Sequence, residues 1–386
     1  MKTYFPLLIL WLLLAVSCKQ NAVTVSPSAD SQVLLNEAVS HRIAYSALLN
    51  IEMVDGYALC SIRDPWRSER TVMQYLLVPR DDSSWSEERQ RDIEARHGQS
   101  CVLRTPLQRM TLTTSCHAWL LSQLGALDKV AVLCDTAYIH ADNVRRWMRQ
   151  RRADGSPMVA DGGSAMMPNT EVILSAGSDA VWISPFENTA SGAIGMIPVP
   201  VIYCADYMET SPLGRADWMK FYGRLVGRGE EADRLFAEVA TRYTACIDST
   251  RTAGPMLLAE TPYGATWYVP GGNSTSALLY QDAGYTYPWA QDRHAGSLAL
   301  SKEAVLAQAQ PCDLWLVKYE AAEGEISLSQ FLAGDEIYGL FKAAQTRQVW
   351  GCNTATSDLF DVTPFRPDTL LASLQNMDGK FYQLLQ

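Results

Sequence analysis

Few side chains in this sequence are placed to do chemistry. There are 5 histidines, His41, His97, His117, His140 and His294. Holding a bare metal ion takes about three imidazoles and a carboxylate converging on one point. His117, His140 and His294 with Asp292 are the set on offer, yet no two histidines stand at the helical spacing that puts both on one face. No P-loop, nucleophile elbow or dinucleotide fingerprint occurs, and Asp161-Gly162-Gly163-Ser164-Ala165 reads as a turn. The chain concentrates aromatic surface instead. Tyr263, Trp267, Tyr268, Tyr280, Tyr285, Tyr287 and Trp289 are 7 aromatics in 27 residues, against 10% overall. Flat amphipathic rings bury much area while keeping a polar edge, which suits a large planar or macrocyclic ligand. Trp267, Tyr268 and Trp289 are therefore candidate pocket residues, and Tyr280 is assigned to the core.

The other half of such a site must come from loops after buried strands, because ligands of parallel α/β sheets lie outside the strands' carboxyl ends. Short apolar runs at 110–115, 130–134, 181–184 and 199–204 read as strands alternating with helices, the pattern of a mostly parallel sheet. Their loops carry Ser115, Cys116, His117, Tyr138, Asn188, Tyr207 and Met208. Ser211 caps a helix with Pro212 at its first position. An apolar helical period then runs through Trp218, Leu225, Phe236 and Tyr243 to about Ser249. As one rod it would span ~50 Å; a break at Gly227 and Gly229 is the competing reading. After Gly254 strands follow at 256–258, 267–269, 314–317 and 348–351, with a helix from Ser274. Asn169-Thr170-Glu171 and Ser301-Lys302-Glu303 repeat a helix cap with a glutamate in the first turn, and each helix leads to a strand bearing Trp182 or Trp315. The expected fold is α/β, two Rossmann-like lobes (106–210 and 253–386) joined by a long rigid α-helix (211–252). Residues 35–105 form a β-rich N-terminal extension, with 80–100 a charged, exposed excursion.

Composition bounds the partners. A chain of 386 residues, 48% hydrophobic and 19% charged, is globular rather than disordered. Its net charge of −10 offers no surface for neutralising phosphates, no local basic patch is expected, and nucleic acid is set aside. Lys2 precedes 13 uninterrupted apolar residues, Tyr4 to Val16. That is a signal-peptide h-region, shorter than the ~20 residues of a membrane span. It ends Leu14-Ala15-Val16-Ser17-Cys18, which resembles the lipobox of bacterial lipoproteins, with Ala15 where leucine is usual. Residues 1–17 are then a signal peptide and 18–34 a tether lipidated on Cys18. Removing Cys18 from 9 cysteines leaves an even number. Export permits disulfides, their pairing cannot be read from spacing, and Cys134, Cys204 and Cys312 lie in apolar runs that suit buried thiols equally.

Pro168-Asn169-Thr170-Glu171-Val172-Ile173-Leu174 with Ser178-Asp179-Ala180-Val181-Trp182 resembles a first-lobe segment of periplasmic binding proteins for cobalamin and ferric chelates. Ser301-Lys302-Glu303-Ala304-Val305-Leu306 resembles their second-lobe segment. Trp267 to Ser274 and Ala205 to Arg215 are similar to the versions in Bacteroidetes lipoproteins of that family. The resemblance covers about 105–386. It implies a monomeric, lipid-anchored solute-binding protein on the periplasmic face of a bacterial membrane. Such a protein holds cobalamin, haem or a ferric siderophore between its lobes, has no catalytic activity, and docks on an ABC permease through one acidic residue per lobe. Glu187 is the first-lobe candidate. The second-lobe glutamate position falls at Asn273, with Glu260 or Asp282 as substitutes. The expected ligand contacts are Trp267, Tyr268, Trp289, Tyr207, His117, Asn188 and Tyr138, with His117 or His294 as an axial ligand to the chelated metal. The alternatives are a bare zinc, manganese or iron binder, or a tetrapyrrole chelatase using His117 or His294 with Glu187 or Glu209.

Overall fold

The computed structural model describes residues 43–67, 70–186, 192–248 and 254–386. The signal peptide, Cys18, Glu187 and Asn188 lie outside the described residues. The extension begins with an antiparallel meander, β1 (Leu49–Val54), β2 (Tyr57–Arg63) and β3 (Thr71–Pro79), to which β4 (Cys101–Thr105) adds in parallel. The charged excursion between β3 and β4 contains a helix, α1 (Glu87–His97), whose N-terminus is capped by the Ser86 hydroxyl. Only Ile93 of it is buried, packing into a small core with Leu59, Leu76 and Val78.

The first lobe is a five-stranded parallel sheet in the order β11-β10-β5-β6-β7. Its strands are β5 (Met110–Leu112), β6 (Val130–Leu133), β7 (Ala160–Asp161), β10 (Ala180–Ile183) and β11 (Val201–Tyr203), with a hairpin of β8 (Gly163–Ser164) and β9 (Met167–Pro168) beside them. Helices α2 (Ser115–Gln123), α3 (Asp142–Met148) and α4 (Thr170–Ser175) make the crossovers. Asn169 caps α4 through its side chain, which accepts from the Glu171 and Val172 amides. The chain runs from β5 outward to β7 and then returns to the other side of β5, so the switch point of the sheet lies at the end of β5.

The expected rod is a bent set of three helices. Ser211 caps α5 (Pro212–Asp217), which bends at Trp218 into α6 (Met219–Leu225). At Gly227 the backbone turns left-handed, φ +71°. The Gly227 amide bonds to the Arg224 carbonyl and the Arg228 amide to the Gly223 carbonyl, the two bonds that close a helix C-terminus around a glycine. The chain then doubles back as α7 (Gly229–Asp248), and Arg224 clamps the turn with two 3.0 Å bonds to Asp233. Among the described residues, α7, ~30 Å at 1.5 Å per residue, is the helix that leads from the first lobe to the second. The apolar period is continuous across the break because both arms present that face to one core.

The second lobe has a four-stranded sheet, β12-β16-β17-β18, parallel except for β18, and an antiparallel sheet β13-β14-β15. Its strands are β12 (Leu257–Ala259), β13 (Pro262–Tyr263), β14 (Thr266–Pro270), β15 (Ser297–Ser301), β16 (Leu314–Tyr319), β17 (Val349–Asn353) and β18 (Gln383–Leu384). Helices α8 (Thr275–Asp282) and α9 (Lys302–Ala309) are capped by the Ser274 and Ser301 hydroxyls. The chain ends with α10 (Leu359–Val362) and α11 (Pro367–Asn376). The second lobe reaches across to the first through Asp361 in α10, whose carboxylate accepts the His140 and Ala141 amides at 2.8 and 2.6 Å.

Two buried carboxylates fix the extension to this frame. Asp217 accepts the Ala44 and Tyr45 amides at 2.7 and 2.8 Å. Glu209 accepts the Ala47 and Leu48 amides, the Ser46 hydroxyl and the Trp218 indole N–H. The Tyr75 hydroxyl donates to the Val201 carbonyl and accepts the Tyr203 amide, tying β3 to β11. The extension is thus part of the fold that orients α5 and the loop after β11. All eight described cysteines are free thiols. No helix among the described residues is long and apolar enough to cross a membrane.

Candidate functional site

The loop after β5 supplies the first-lobe wall of a cleft between the lobes, at the switch point where open α/β sheets bind ligands. Thr114, Ser115 and Cys116, with Arg215 of α5, face Thr275 and Ser276 at the start of α8, Lys318 of β16 and Phe360 of α10 across a cavity of ≈ 370 Å³. Arg215, Thr275 and Ser276 also line an adjoining cavity of ≈ 400 Å³, completed by Tyr207 and Glu209 from the first lobe and Glu260 and Tyr268 from the second. Each lies within the ~300–1,000 Å³ range of small-molecule sites. The loop that presents the start of α8 is tight: a Cβ on Gly272 would sit 2.3 Å from the Trp289 carbonyl oxygen.

Arg215 is the one charged group common to both cavities. Its Nε donates to Asp206 at 3.2 Å, and the ηN–H edge of its guanidinium is available for a ligand acceptor. Asp206 is buried and also takes the Tyr222 hydroxyl at 2.8 Å and His117 Nε2 at 3.2 Å. Burial alone would raise the Asp206 carboxyl, but the His117, Arg215 and Tyr222 contacts outweigh it and hold it below its ordinary value. The opposite wall carries a second ion pair, Lys318 with Glu260. Burial opposes the Lys318 charge, and the Glu260 carboxylate reverses this and raises the lysine above its ordinary value. Glu260 sits at φ +67°, a left-handed conformation costly for a non-glycine residue. It is held there by the Trp315 indole N–H on its carbonyl, 2.9 Å. Cys116, pushed up to about 12 chiefly by burial, is a neutral wall residue.

The residues expected from the sequence divide sharply. Tyr207 and Tyr268 line the cleft, and Tyr268 is 47% exposed. Trp267 is not a wall residue: it is 0% exposed and stacked on Trp315, 5.7 Å between ring centroids. Trp289 is likewise buried, edge-on to Tyr287. The aromatic-rich run therefore builds core, and strand alternation on β14 turns Trp267 inward and Tyr268 outward. His117 is buried with both ring nitrogens engaged, Nδ1 by the Thr114 hydroxyl and Nε2 by Asp206, so it offers no nitrogen to a metal or a macrocycle proton. Glu209 is committed to holding the extension. His294 is exposed beside Asp292, 2.9 Å away. Among the described residues no three His, Cys, Asp or Glu side chains converge on a metal position. Tyr138 lies exposed outside both cleft cavities. Neither expected substitute carboxylate is free, since Glu260 pairs with Lys318 and Asp282 accepts the Tyr243 hydroxyl at 2.5 Å. The sequence reading missed Arg215, Lys318, Thr275, Ser276 and Phe360. Of these, Arg215 had a signal, a cation in the first turns of the capped helix that comes after β11.

Two parallel-sheet lobes, one connecting helix and a cleft at the carboxyl ends of the strands define a bilobal binding protein. The profile of the periplasmic binding protein family matches residues 114–355, and the chain belongs to that family. An uncharacterized lipoprotein of Methanocaldococcus jannaschii is 25% identical over 305 residues, 74% of this chain and 69% of that one. Among solved structures, an ABC-type Fe3+-hydroxamate transport system from Saccharomonospora viridis is 17% identical and aligns over 73% of this chain and 97% of its own with a TM-score of 0.57. A periplasmic haem-binding protein of Vibrio cholerae is 14% identical, over 69% and 98%, with a TM-score of 0.54. At these identities the structures speak to the fold. The family match begins at Thr114, so the extension lies outside it.

Proposed function

We propose that this protein is the solute-binding component of an ABC importer, carried outside the cytoplasmic membrane on a lipidated Cys18, and that it captures a metal chelate of the ferric siderophore, haem or cobalamin class. The observation that carries this reading is the cleft, whose walls come from both lobes and meet at Arg215. Family membership supports the role, and the solved relatives named for Fe3+-hydroxamate and haem support the ligand class. Titrating the exported chain with ferric siderophores, haemin and cobalamin while following tryptophan fluorescence tests it; saturation by none of them rejects the ligand class. With the chelate so identified, Arg215→Ala should weaken binding about thirtyfold, a loss of about 2 kcal/mol, because an arginine that a ligand covers at the centre of a site carries much of its energy. An unchanged Kd would remove Arg215 from the site.

Docking on the permease calls for a carboxylate on each lobe. The internal repeat supplies a matched pair, Glu171 in the first turn of α4 and Glu303 in the first turn of α9, both exposed. Each helix leads into a central parallel strand, so its N-terminus lies at the strand's carboxyl end, on the rim of the cleft. Glu187, in the segment after β10, is a further first-lobe candidate. Glu171→Lys with Glu303→Lys should cut uptake by about tenfold or more while chelate affinity stays unchanged, as expected for rim charges that steer association. Loss of uptake with Glu187→Lys alone assigns docking to that segment instead.

A further inference from the structure

One stretch runs against the charge of the whole molecule. In a chain of net charge −10, residues 145–152 read Arg-Arg-Trp-Met-Arg-Gln-Arg-Arg, 5 arginines and no acid. The expectation of no local basic patch is overturned there. Trp147 is buried and anchors α3 to the lobe, while Arg145, Arg146, Arg149, Arg151 and Arg152 are all exposed. None of the five forms an ion pair among the described residues; Arg152 alone reaches a neighbour, donating to the Met158 carbonyl at 2.7 Å. Arg145 in α3 and Arg149 at its C-cap stand four apart, where like charges repel. They border a surface cavity with His140 and Met148, next to the turn that carries Tyr138, 66% exposed. The patch begins at the lobe boundary, where Arg145 lines a cavity with Asp142 of its own helix and Glu325, Asp358 and Lys380 of the second lobe.

We infer that this face seats the protein on a bilayer surface bearing anionic phosphate headgroups. An exposed arginine cluster without ion pairs among the described residues, beside an exposed tyrosine, is the chemistry of such a surface, with guanidinium forks on phosphates and an amphipathic ring at headgroup depth. The acidic remainder of the molecule does not oppose it, because charges beyond a Debye length of about 8 Å at physiological salt are screened. The inference rests on the reading of the chain as exported and held at a membrane, but not on the identity of its ligand. A lipid tether alone leaves orientation free. A basic face would fix which side of the first lobe lies on the bilayer.

The test is co-sedimentation of the acyl-free chain, from Lys19 onward, with lipid vesicles. This form retains Ser40–Gln386, the compact unit of the fold. It should bind phosphatidylglycerol-containing vesicles, release them as salt rises, and ignore vesicles of phosphatidylcholine alone. Each arginine should contribute about fivefold, so Arg146→Gln with Arg149→Gln and Arg151→Gln should weaken binding about a hundredfold. The thermal transition and fluorescence titration of this variant should match those of the parent chain. Equal binding to both vesicle types, or an unchanged triple variant, overturns the inference. So does absence of vesicle binding combined with loss of permease association in the variant, which would assign the face to an acidic protein surface.

Discussion

Asp217→Ala should lower the stability of the protein by about 3–5 kcal/mol, the usual cost of removing one partner from a buried ion pair. Asp217 is fully buried and lies 3.0 Å from Lys220, itself almost wholly buried. Without the carboxylate the ammonium would remain in the interior, 4.3 Å from the centroid of the Phe236 ring. The same substitution frees the amides of Ala44 and Tyr45, which close the extension onto α5. Urea denaturation should show a lower midpoint. Asp217→Asn should be the milder variant, because an amide oxygen can still accept those two N–H groups. Pairing Asp217→Ala with Lys220→Met should recover much of the loss, since a buried pair replaced by apolar groups of similar size is often neutral. A single-variant cost below about 1 kcal/mol would mean that Lys220 finds water or another acid on small rearrangement.

That pair also shows what sequence periodicity does not carry. Residues 44–48 contact Glu209 and Asp217 across more than 160 positions of sequence, and nothing local in either segment announces the meeting. The central parallel strands β5, β6, β10, β12, β16 and β17 were legible because each is a short apolar run, whereas short or polar strands such as β7 and β15 were not. The helix caps at Asn169, Ser211 and Ser301 were legible because each signal is complete within four residues. The connection between the lobes was half legible: its apolar period was correct and its continuity was not. Gly227 set the break, yet a glycine in a helical pattern is ambiguous until something requires a left-handed turn. Here the requirement is the return of α7 along α6, where Gly223 and Ala232 approach so closely that a Cβ on Gly223 would lie 2.4 Å from the Ala232 methyl. The cleft cations were illegible for a different reason. Arg215 and Lys318 lie on different lobes, and only the tertiary fold makes them neighbours of one cavity.

The aromatic run gives the second large expected effect, and two adjacent residues separate its alternatives. Trp267 and Tyr268 are consecutive on β14, so they face opposite sides of the sheet. Trp267 packs into a cluster with Trp315 at 5.7 Å, Phe341 at 5.6 Å and Tyr338 at 6.4 Å, and its indole N–H donates to the Ala259 carbonyl at 3.3 Å. Trp267→Ala should therefore cost about 3–5 kcal/mol of stability, the range for emptying an aromatic site in a packed core, and leave chelate affinity per folded molecule unchanged. Tyr268→Ala should do the reverse. It removes a half-exposed ring from the cleft wall, so stability should move by less than about 0.5 kcal/mol, while chelate affinity falls about five- to thirtyfold, as for truncating an aromatic contact. Urea midpoints and fluorescence titrations on the two variants, run side by side, decide the matter. If Trp267→Ala abolished binding at full stability, the cluster would have to open toward the ligand, and the cleft centred on Arg215 would be only part of the site. The alternation of one strand is what makes the contrast possible: aromatic density marked this region from the sequence, but a density has no side, and only the pleat of β14 assigns one ring to the core and its neighbour to the ligand.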